Sequence, residues 1–144
     1  EVWDDEFVSI QERYKRGVFA LDTALFLHDL TDRTPHKFHM AFPYGYNTSS
    51  PKAAGILCSC KKEPYYSLGI ALVDTPAGNT VRAYNAEKTL CEILKPISHT
   101  DIQIITDAFK RYAGRKDKNI PLLSEYAHQL RVEKRLRPYL EVLL

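Results

Sequence analysis

The apolar residues of this chain change their spacing near residue 84. Before that point apolar and polar residues alternate in short segments, most clearly around Phe38, Met40 and Phe42, and this is the period of a strand with one buried face. After that point apolar residues recur three or four positions apart, which is the period of a helix. We therefore predict an α/β chain of the α+β type, in which a small sheet precedes a helical half.

Turn-forming residues divide the first part into predicted strands. Residues 76–79, Pro-Ala-Gly-Asn, are typical of a hairpin connection, so the strands on either side should be antiparallel. Residues 43–51 predict an exposed loop, and residues 18–20 form too short a segment to assign. The sheet should be small, mixed or antiparallel, with about four strands. The predicted strands are residues 36–42, 55–62, 67–75 and 80–84.

Two helices are predicted before the sheet. Asp4 or Asp5 provides an N-cap for a first helix that runs to about Arg16, because a short acidic side chain accepts bonds from the first backbone N–H groups. Asp22 provides the N-cap of a second helix over residues 23–30. This second helix is apolar on most sides, so we expect it to be buried.

Residues 84–94 connect the sheet part to the helical part. Asn85 is a good N-cap for a helix in this segment. A helix this short is not stable in water unless its apolar stripe covers another surface, and we predict that it packs on the sheet. The stripe consists of Ala86, Leu90, Ile93 and Leu94.

The remaining sequence predicts three more helices. Thr100 and Gln103 have the spacing of a capping box for the first, which ends at Gly114, and Asn119 caps the second. Pro138 lies inside the apolar stripe of the third. Because proline removes a backbone donor and clashes with the preceding turn, we expect a kink or a restart there.

Length and composition indicate one cytoplasmic domain. The 144 residues are 44% apolar and 26% charged, which is typical of a soluble protein. No apolar run reaches the roughly 18 residues of a membrane helix, so we expect no membrane partner. Three cysteines without secreted-domain spacing suit a reducing compartment. Residues 1–96 should hold the first helices and the sheet, and residues 97–144 the helical half packed on them.

Positive charge is concentrated near the C-terminus. From Lys110 to Arg137 there are nine basic and three acidic residues, a net charge of +6 against +2 for the whole chain. On successive helices these basic side chains could line one face and hold nucleic-acid phosphates without reading sequence. The predicted nucleic-acid-binding residues are Lys110, Arg111, Arg115, Lys116, Lys118, Arg131, Lys134, Arg135 and Arg137.

The sequence predicts no metal site. His36 and His39 are three positions apart, so on one strand their side chains face opposite ways. Cys58 and Cys60 share a face, but a structural zinc needs four ligands and no second pair follows at motif spacing.

The sequence also predicts no catalytic residue and no cofactor. Ser59, Ser67 and Cys91 lie outside any nucleophile-elbow pattern, and neither phosphate-binding glycine motif is present. His28 lies in a dense apolar segment, where a hydrogen-bonded core histidine is expected more often than a base.

The loop after the first predicted strand offers a further binding possibility. Tyr44 and Tyr46 flank a glycine and could stack a base between them, as in proteins that bind single strands. The alternative is that both rings cover the edge of the sheet.

Several phrases together resemble one family. They are residues 24–33 (ALFLHDLTDR), 39–47 (HMAFPYGYN), 75–84 (TPAGNTVRAY), 87–92 (EKTLCE), 130–134 (LRVEK) and 139–144 (YLEVLL). The set is similar to AbiEi-type antitoxins of abortive-infection, type IV toxin–antitoxin systems, and it spans nearly the whole chain. The chain departs from the family pattern at Asn85, Lys88 and Glu92, where an aspartate, an arginine and an aspartate are usual.

The resemblance implies a function in phage resistance. Such proteins repress their own promoter through an N-terminal winged helix-turn-helix that binds operator DNA, and they neutralise a nucleotidyltransferase-like toxin without a stable complex. The chain starts without methionine, and we expect the winged helix to precede it. The part present here would carry the antitoxic activity, with operator DNA or the RNA that the toxin attacks as partner.

Three hypotheses follow. The first is an antitoxin and transcriptional autoregulator domain that acts by binding rather than catalysis. The second is an enzyme that modifies the toxin or reverses its product. The third is an oligomerisation platform for the missing DNA-binding domain.

Overall fold

The computed structural model describes the backbone of residues 5–143 and the side chains of residues 5–141. Helices and strands follow in this order: α1 (Glu6–Arg13), β1 (Val18–Phe19), α2 (Leu21–Leu27), β2 (His39–Pro43), α3 (Ser49–Ala53), β3 (Leu57–Lys61), β4 (Ile70–Asp74), β5 (Thr80–Tyr84), α4 (Ala86–Ile93), a 3₁₀ turn (Pro96–Ser98), α5 (Ile102–Ala113), α6 (Ile120–Gln129) and α7 (Glu133–Leu143). The predicted mixed α/β class is confirmed.

The sheet has five strands in the order β3-β2-β1-β5-β4. Strand β2 is parallel to β3, and β1 is parallel to β5, whereas β1 pairs with β2 and β4 with β5 in antiparallel register. The predicted antiparallel hairpin of β4 and β5 is therefore confirmed. The fifth strand is β1, in the segment 18–20 that the sequence left unassigned. Its two residues are fully buried in the middle of the sheet, and two residues cannot show an alternating pattern.

One face of the sheet is covered by α1. Asp5 caps this helix by accepting from the backbone N–H groups of Phe7 and Val8, while Asp4 lies outside the described residues. Phe7 packs edge-to-face on Phe19 of β1, with ring centroids 5.4 Å apart. The buried residues of this cluster are Phe7, Tyr14, Phe19, Met40, Phe42, Ile56, Val81 and Ala83.

The opposite side of the molecule is a helical cluster built around α4. Asn85 caps α4 as predicted, since its Oδ1 accepts from the Lys88 N–H at 2.8 Å. All eight residues of α4 are buried. Its apolar stripe packs with α2, α5 and α6, so the expectation that this stripe covers the sheet is wrong. Two polar residues of α4, Lys88 and Glu92, face the sheet instead.

Several predicted boundaries are wrong. Asp101, not Thr100, caps α5, because its carboxylate accepts from the Gln103 N–H at 2.8 Å. Helix α2 starts one position before Asp22, without a side-chain cap. Helix α3 begins inside the predicted loop 43–51.

At the C-terminal end, Asn119 caps α6 as predicted, and α7 continues through Pro138 without a restart.

Candidate functional site

Arg111, one of the predicted nucleic-acid-binding residues, lies among three carboxylates. Its guanidinium is 3.0 Å from Asp107, one turn earlier in α5, and 3.9 and 4.0 Å from Asp29 and Asp32 in the segment after α2. These contacts connect α5 to the end of α2. Arg111 therefore lies among carboxylates of the same chain, and this acidic surrounding is unfavourable for an external phosphate.

Arg115 is engaged in the same way. It makes two parallel hydrogen bonds of 2.8 Å to Asp117, and it donates to the His28 carbonyl at 3.0 Å. The bonds from Arg115 hold the pKa of Asp117 below its usual value. Nearby, Lys118 donates to the Ala113 carbonyl at 2.8 Å. Arg115 and Lys118 are thus engaged in contacts near the C-terminal end of α5.

The turn between α6 and α7 gathers three of the predicted residues. Arg131, Lys134 and Arg135 line a shallow concavity of about 700 Å³. Its other two lining residues are His128 and Glu133, which form an ion-pair contact of 3.1 Å with each other. Within the described side chains, the ion pairs do not include Arg131, Lys134 or Arg135. Three cations are therefore available here to an external anion.

The backbone of this turn places Arg131 two residues before α7, the helix that carries Lys134 and Arg135. Arg131 follows α6 in the left-handed conformation, with φ of 60°. The Val132 N–H bonds to the Ala127 carbonyl at 2.9 Å and the Arg131 N–H to that of His128 at 3.2 Å, which is the pattern of a Schellman helix end. A glycine is preferred at this position, so an arginine there carries a conformational cost of roughly 1 kcal/mol.

The other predicted basic residues lie apart from that concavity. Lys110 lines a smaller hollow of about 300 Å³ beside Ile102 and Gln103. Lys116 and Arg137 are exposed. On α7 Arg137 is offset from Lys134 by roughly 60° around the helix axis. The structure therefore brings together Arg131, Lys134 and Arg135, with Arg137 on the adjoining surface, and places the α5 residues elsewhere.

Sequence reasoning missed a buried ion group that lies between α4 and the sheet. Lys88 has no exposed surface, and its Nζ donates to the carbonyls of Tyr65 and Leu68 at 2.8 Å each. The same Nζ lies 3.7 Å from the centroid of the Tyr84 ring. Two carbonyl oxygens and one aromatic face thus surround this ammonium.

Glu92 lies one helical turn after Lys88 and is only 3% exposed. Its Oε2 pairs with Lys61 Nζ of β3 at 2.5 Å, and its Oε1 lies 3.9 Å from Lys88 Nζ. Oε1 is buried and has no hydrogen-bond partner. Burial lowers the pKa of Lys88 to about 8, although the Glu92 carboxylate opposes that shift.

The face of β2 and β3 that carries Lys61 also carries two other polar side chains. His39 and Ser59 lie on the same face as Lys61, and His39 Nε2 is 3.3 Å from Ser59 Oγ. Burial lowers the pKa of His39 to about 4, so the imidazole is neutral at pH 7. His36 lies before β2, and the assumption that both histidines share one strand is wrong.

Gly69 allows the loop before β4 to approach α4. Its φ is +83°, and a Cβ at this position would lie 2.7 Å from Lys88 Cβ and 3.3 Å from Asn85 Oδ1. The Asn85 N–H also bonds to the Gly69 carbonyl at 2.8 Å. The close contact keeps the Leu68 carbonyl within reach of Lys88.

The other chemical candidates have ordinary structural contacts. His28 donates through Nε2 to the Tyr84 carbonyl at 2.7 Å. The Cys91 thiol is buried, and burial raises its pKa to about 12. In residues 5–141 no three His, Cys, Asp or Glu side chains are arranged to hold a metal ion. None of the described helices is long and apolar enough to cross a membrane.

The chain matches no protein-family model, and no curated protein matches it.

Proposed function

We propose that this domain is the antitoxin part of an AbiEi-like type IV antitoxin and that it acts by binding nucleic acid. The observation that carries the proposal is the concavity at the α6–α7 turn. There Arg131, Lys134 and Arg135 converge without an ion-pair partner among the described side chains. Cations in this arrangement bind phosphate groups through contacts that are sensitive to salt and independent of base sequence.

The buried ion group is compatible with the resemblance to AbiEi-type antitoxins. Lys88 and Glu92 occupy two of the positions at which the chain departs from the AbiEi-like pattern, and they approach each other to 3.9 Å. Arginine and aspartate, which are usual at these positions, have the same charges as lysine and glutamate. A paired exchange of this kind preserves an opposite-charge contact, and this is consistent with a shared fold.

The proposed partners are nucleic acids in the cytoplasm. Operator DNA would be bound mainly through an upstream winged helix, with the α6–α7 concavity adding phosphate contacts at its flank. The RNA that the toxin attacks is the second possible ligand. The cognate nucleotidyltransferase-like toxin is a functional partner in this proposal, and no stable complex with it is expected.

Co-expression with the cognate toxin tests the antitoxin role. The described chain should restore growth, and the triple charge reversal Lys134→Glu, Arg135→Glu and Arg137→Glu should abolish the rescue. Lys110→Glu with Lys116→Glu is a control, since both residues are exposed and lie outside the concavity. Full rescue by the triple variant, at equal expression, would contradict the proposal.

One observation favours the enzyme hypothesis as a second candidate. A lysine whose pKa is lowered to about 8, as for Lys88, is typical of amines that act as nucleophiles or bases. However, Lys88 has no exposed surface, and two backbone carbonyls already accept from its ammonium. Nucleotide turnover by the purified domain that is lost in Lys88→Met, with the fold retained, would support catalysis instead.

A further inference from the structure

Two lysine–tyrosine pairs lie at one edge of the sheet, away from the α6–α7 concavity. Strands β2 and β3 are parallel, so their carboxyl ends meet at the same edge. The chain continues there into Tyr44 after β2 and into Lys62 after β3, and the Tyr44 N–H bonds to the Lys61 carbonyl at 2.9 Å. Lys62 Nζ lies 4.9 Å from the centroid of the Tyr44 ring. This is the first pair.

The second pair is Tyr65 with Lys95. Lys95 Nζ lies 5.8 Å from the centroid of the Tyr65 ring. The backbone below this ring is fixed, because the Tyr65 carbonyl accepts from the buried Lys88. Lys61 lies close enough to lower the pKa of Lys95, in addition to the larger effect of burial. Lys61 lies between the two pairs: its carbonyl accepts from the Tyr44 N–H, and its Nζ pairs with Glu92, three residues before Lys95.

Both tyrosine rings of these pairs are open to solvent. Tyr44 is 70% exposed and Tyr65 is 38% exposed. Their sequence neighbours behave differently: Tyr46 stacks on Phe42 with centroids 4.6 Å apart, and Tyr66 is buried with its hydroxyl bonded to the Arg16 carbonyl. The sequence left two possibilities for Tyr44 and Tyr46, and the structure divides them: Tyr46 covers Phe42 of the sheet, whereas Tyr44 is exposed, so the two rings do not flank one base. Tyr65 is the exposed ring that accompanies Tyr44.

The charge around these rings is positive. Within the described side chains, neither Lys62 nor Lys95 takes part in a salt bridge. Two carboxylates lie nearby: Glu92 pairs with Lys61, and Glu63 accepts from the Ser67 N–H and hydroxyl, so lysines still outnumber carboxylates here. An incoming anion would reduce the repulsion among these lysines without displacing an internal ion pair.

We propose that this edge binds single-stranded nucleic acid, with bases stacked on Tyr44 and Tyr65 and phosphates held by Lys62 and Lys95. Exposed aromatic rings interleaved with cations are the features that let proteins bind single strands without a sequence preference. In a duplex the bases are already stacked on each other, so only their phosphates would be available. The site should therefore prefer single strands. This inference does not depend on an antitoxin role.

Fluorescence anisotropy with labelled 12-nucleotide oligo(U), oligo(dT) and a duplex of equal length tests this site. The chain should bind both single strands more tightly than the duplex. The double variant Tyr44→Ala with Tyr65→Ala should lose roughly tenfold or more in single-strand affinity, whereas Tyr44→Phe with Tyr65→Phe should retain most of it. Lys62→Gln removes one phosphate contact. It should reduce the salt slope, which is the slope of the logarithm of the binding constant against the logarithm of salt concentration, by about 0.7.

Leu72→Ala is the control, because Leu72 is 75% exposed, close to the 70% of Tyr44, but lies on β4, three strands away from β2. Its affinity should be unchanged, and thermal melts should show that all variants fold. The proposal is overturned by undetectable binding, by equal binding of duplex and single strand, or by full affinity in the double alanine variant. It is also overturned if single-strand binding is lost only in the Lys134, Arg135 and Arg137 variant, an outcome that would leave the proposed antitoxin function standing.

Discussion

Lys88 and Glu92 are one turn apart on α4 and form an ion pair that is almost entirely shielded from water, with Nζ and Oε1 separated by 3.9 Å. The pair is asymmetric. Lys88 has its own acceptors in two backbone carbonyls, whereas the Glu92 Oε1 atom has no hydrogen-bond partner. The pair connects α4 to β3 and to the loop before β4. Its removal should therefore weaken the packing between the helices and the sheet.

Lys88→Met should destabilise the domain strongly. The substitution leaves the carbonyls of Tyr65 and Leu68 without their donor, at about 1–3 kcal/mol for each unsatisfied buried group, and it leaves Glu92 with Lys61 as its remaining cationic partner. The double variant Lys88→Met with Glu92→Leu should recover part of this loss, because it removes both buried charges and leaves the partly exposed Lys61 free to reach water. Urea unfolding of the wild type, both single variants and the double variant measures the coupling. Additive losses would show that the pair does not act as a unit.

The unfolding free energy should rise with pH between about 8 and 10.5 because of Lys88. Its pKa is about 8 in the folded state, against 10.5 for an ordinary lysine. In this interval the unfolded chain binds more protons at Lys88 than the folded chain does, and stability therefore increases with pH. Below pH 8 both states are protonated and the contribution is constant. The largest gain is roughly 3 kcal/mol.

Other groups also titrate at high pH, so the measurement is a difference between two proteins. Burial raises the pKa of Tyr84 and Tyr112, and these groups oppose the gain equally in wild type and in Lys88→Met. The wild type should gain stability relative to this variant from pH 8 to pH 10. A difference that stays flat over this interval would contradict the lowered pKa of Lys88.

Gly69→Ala should disturb the same interface by another route. The added methyl group would lie 2.7 Å from Lys88 Cβ, which is fixed by the backbone of α4, so the loop or the helix must shift. Gly78→Ala is a matched control: its φ of +89° imposes the same backbone strain, but nothing lies within 4 Å of the new Cβ. We expect Gly69→Ala to lose about 1–3 kcal/mol more than the control in chemical unfolding. Equal losses would mean that backbone strain alone accounts for both.

The sequence correctly predicted the elements that depend on helix caps and hairpin turns. Asn85 and Asn119 cap α4 and α6, and residues 80–84 form β5 as predicted, because caps and hairpin turns depend on residues that are near in sequence. Strand β1 could not be found in this way. Two residues have no period, and β1 exists because β2 and β5 pair with it on both sides.

The candidate site was only partly predictable for the same reason. Lys134 and Arg135 come together with Arg131 because the helix end between α6 and α7 is local. Asp107, the nearest partner of Arg111, is four positions earlier on α5 and could be read from the sequence, whereas Asp29 and Asp32 lie about 80 positions earlier and approach Arg111 only because α5 packs beside the end of α2. Lys88 and Glu92 are four positions apart on the short helix α4, and this spacing was the sequence signal for their pairing.

Arg131→Gly should stabilise the domain and weaken its binding to nucleic acid. Arg131 has φ of 60°, and glycine adopts this conformation without the steric cost of a Cβ, so a gain of about 0.5–1 kcal/mol is expected. Losing one phosphate contact should at the same time lower the salt slope of duplex binding by about 0.9. Arg131→Ala separates the two effects, since it removes the cation but keeps the strain: its binding should fall as in Arg131→Gly, with no gain in melting temperature. Stabilisation with unchanged binding would remove Arg131 from the proposed surface and leave Lys134 and Arg135 to hold the phosphate.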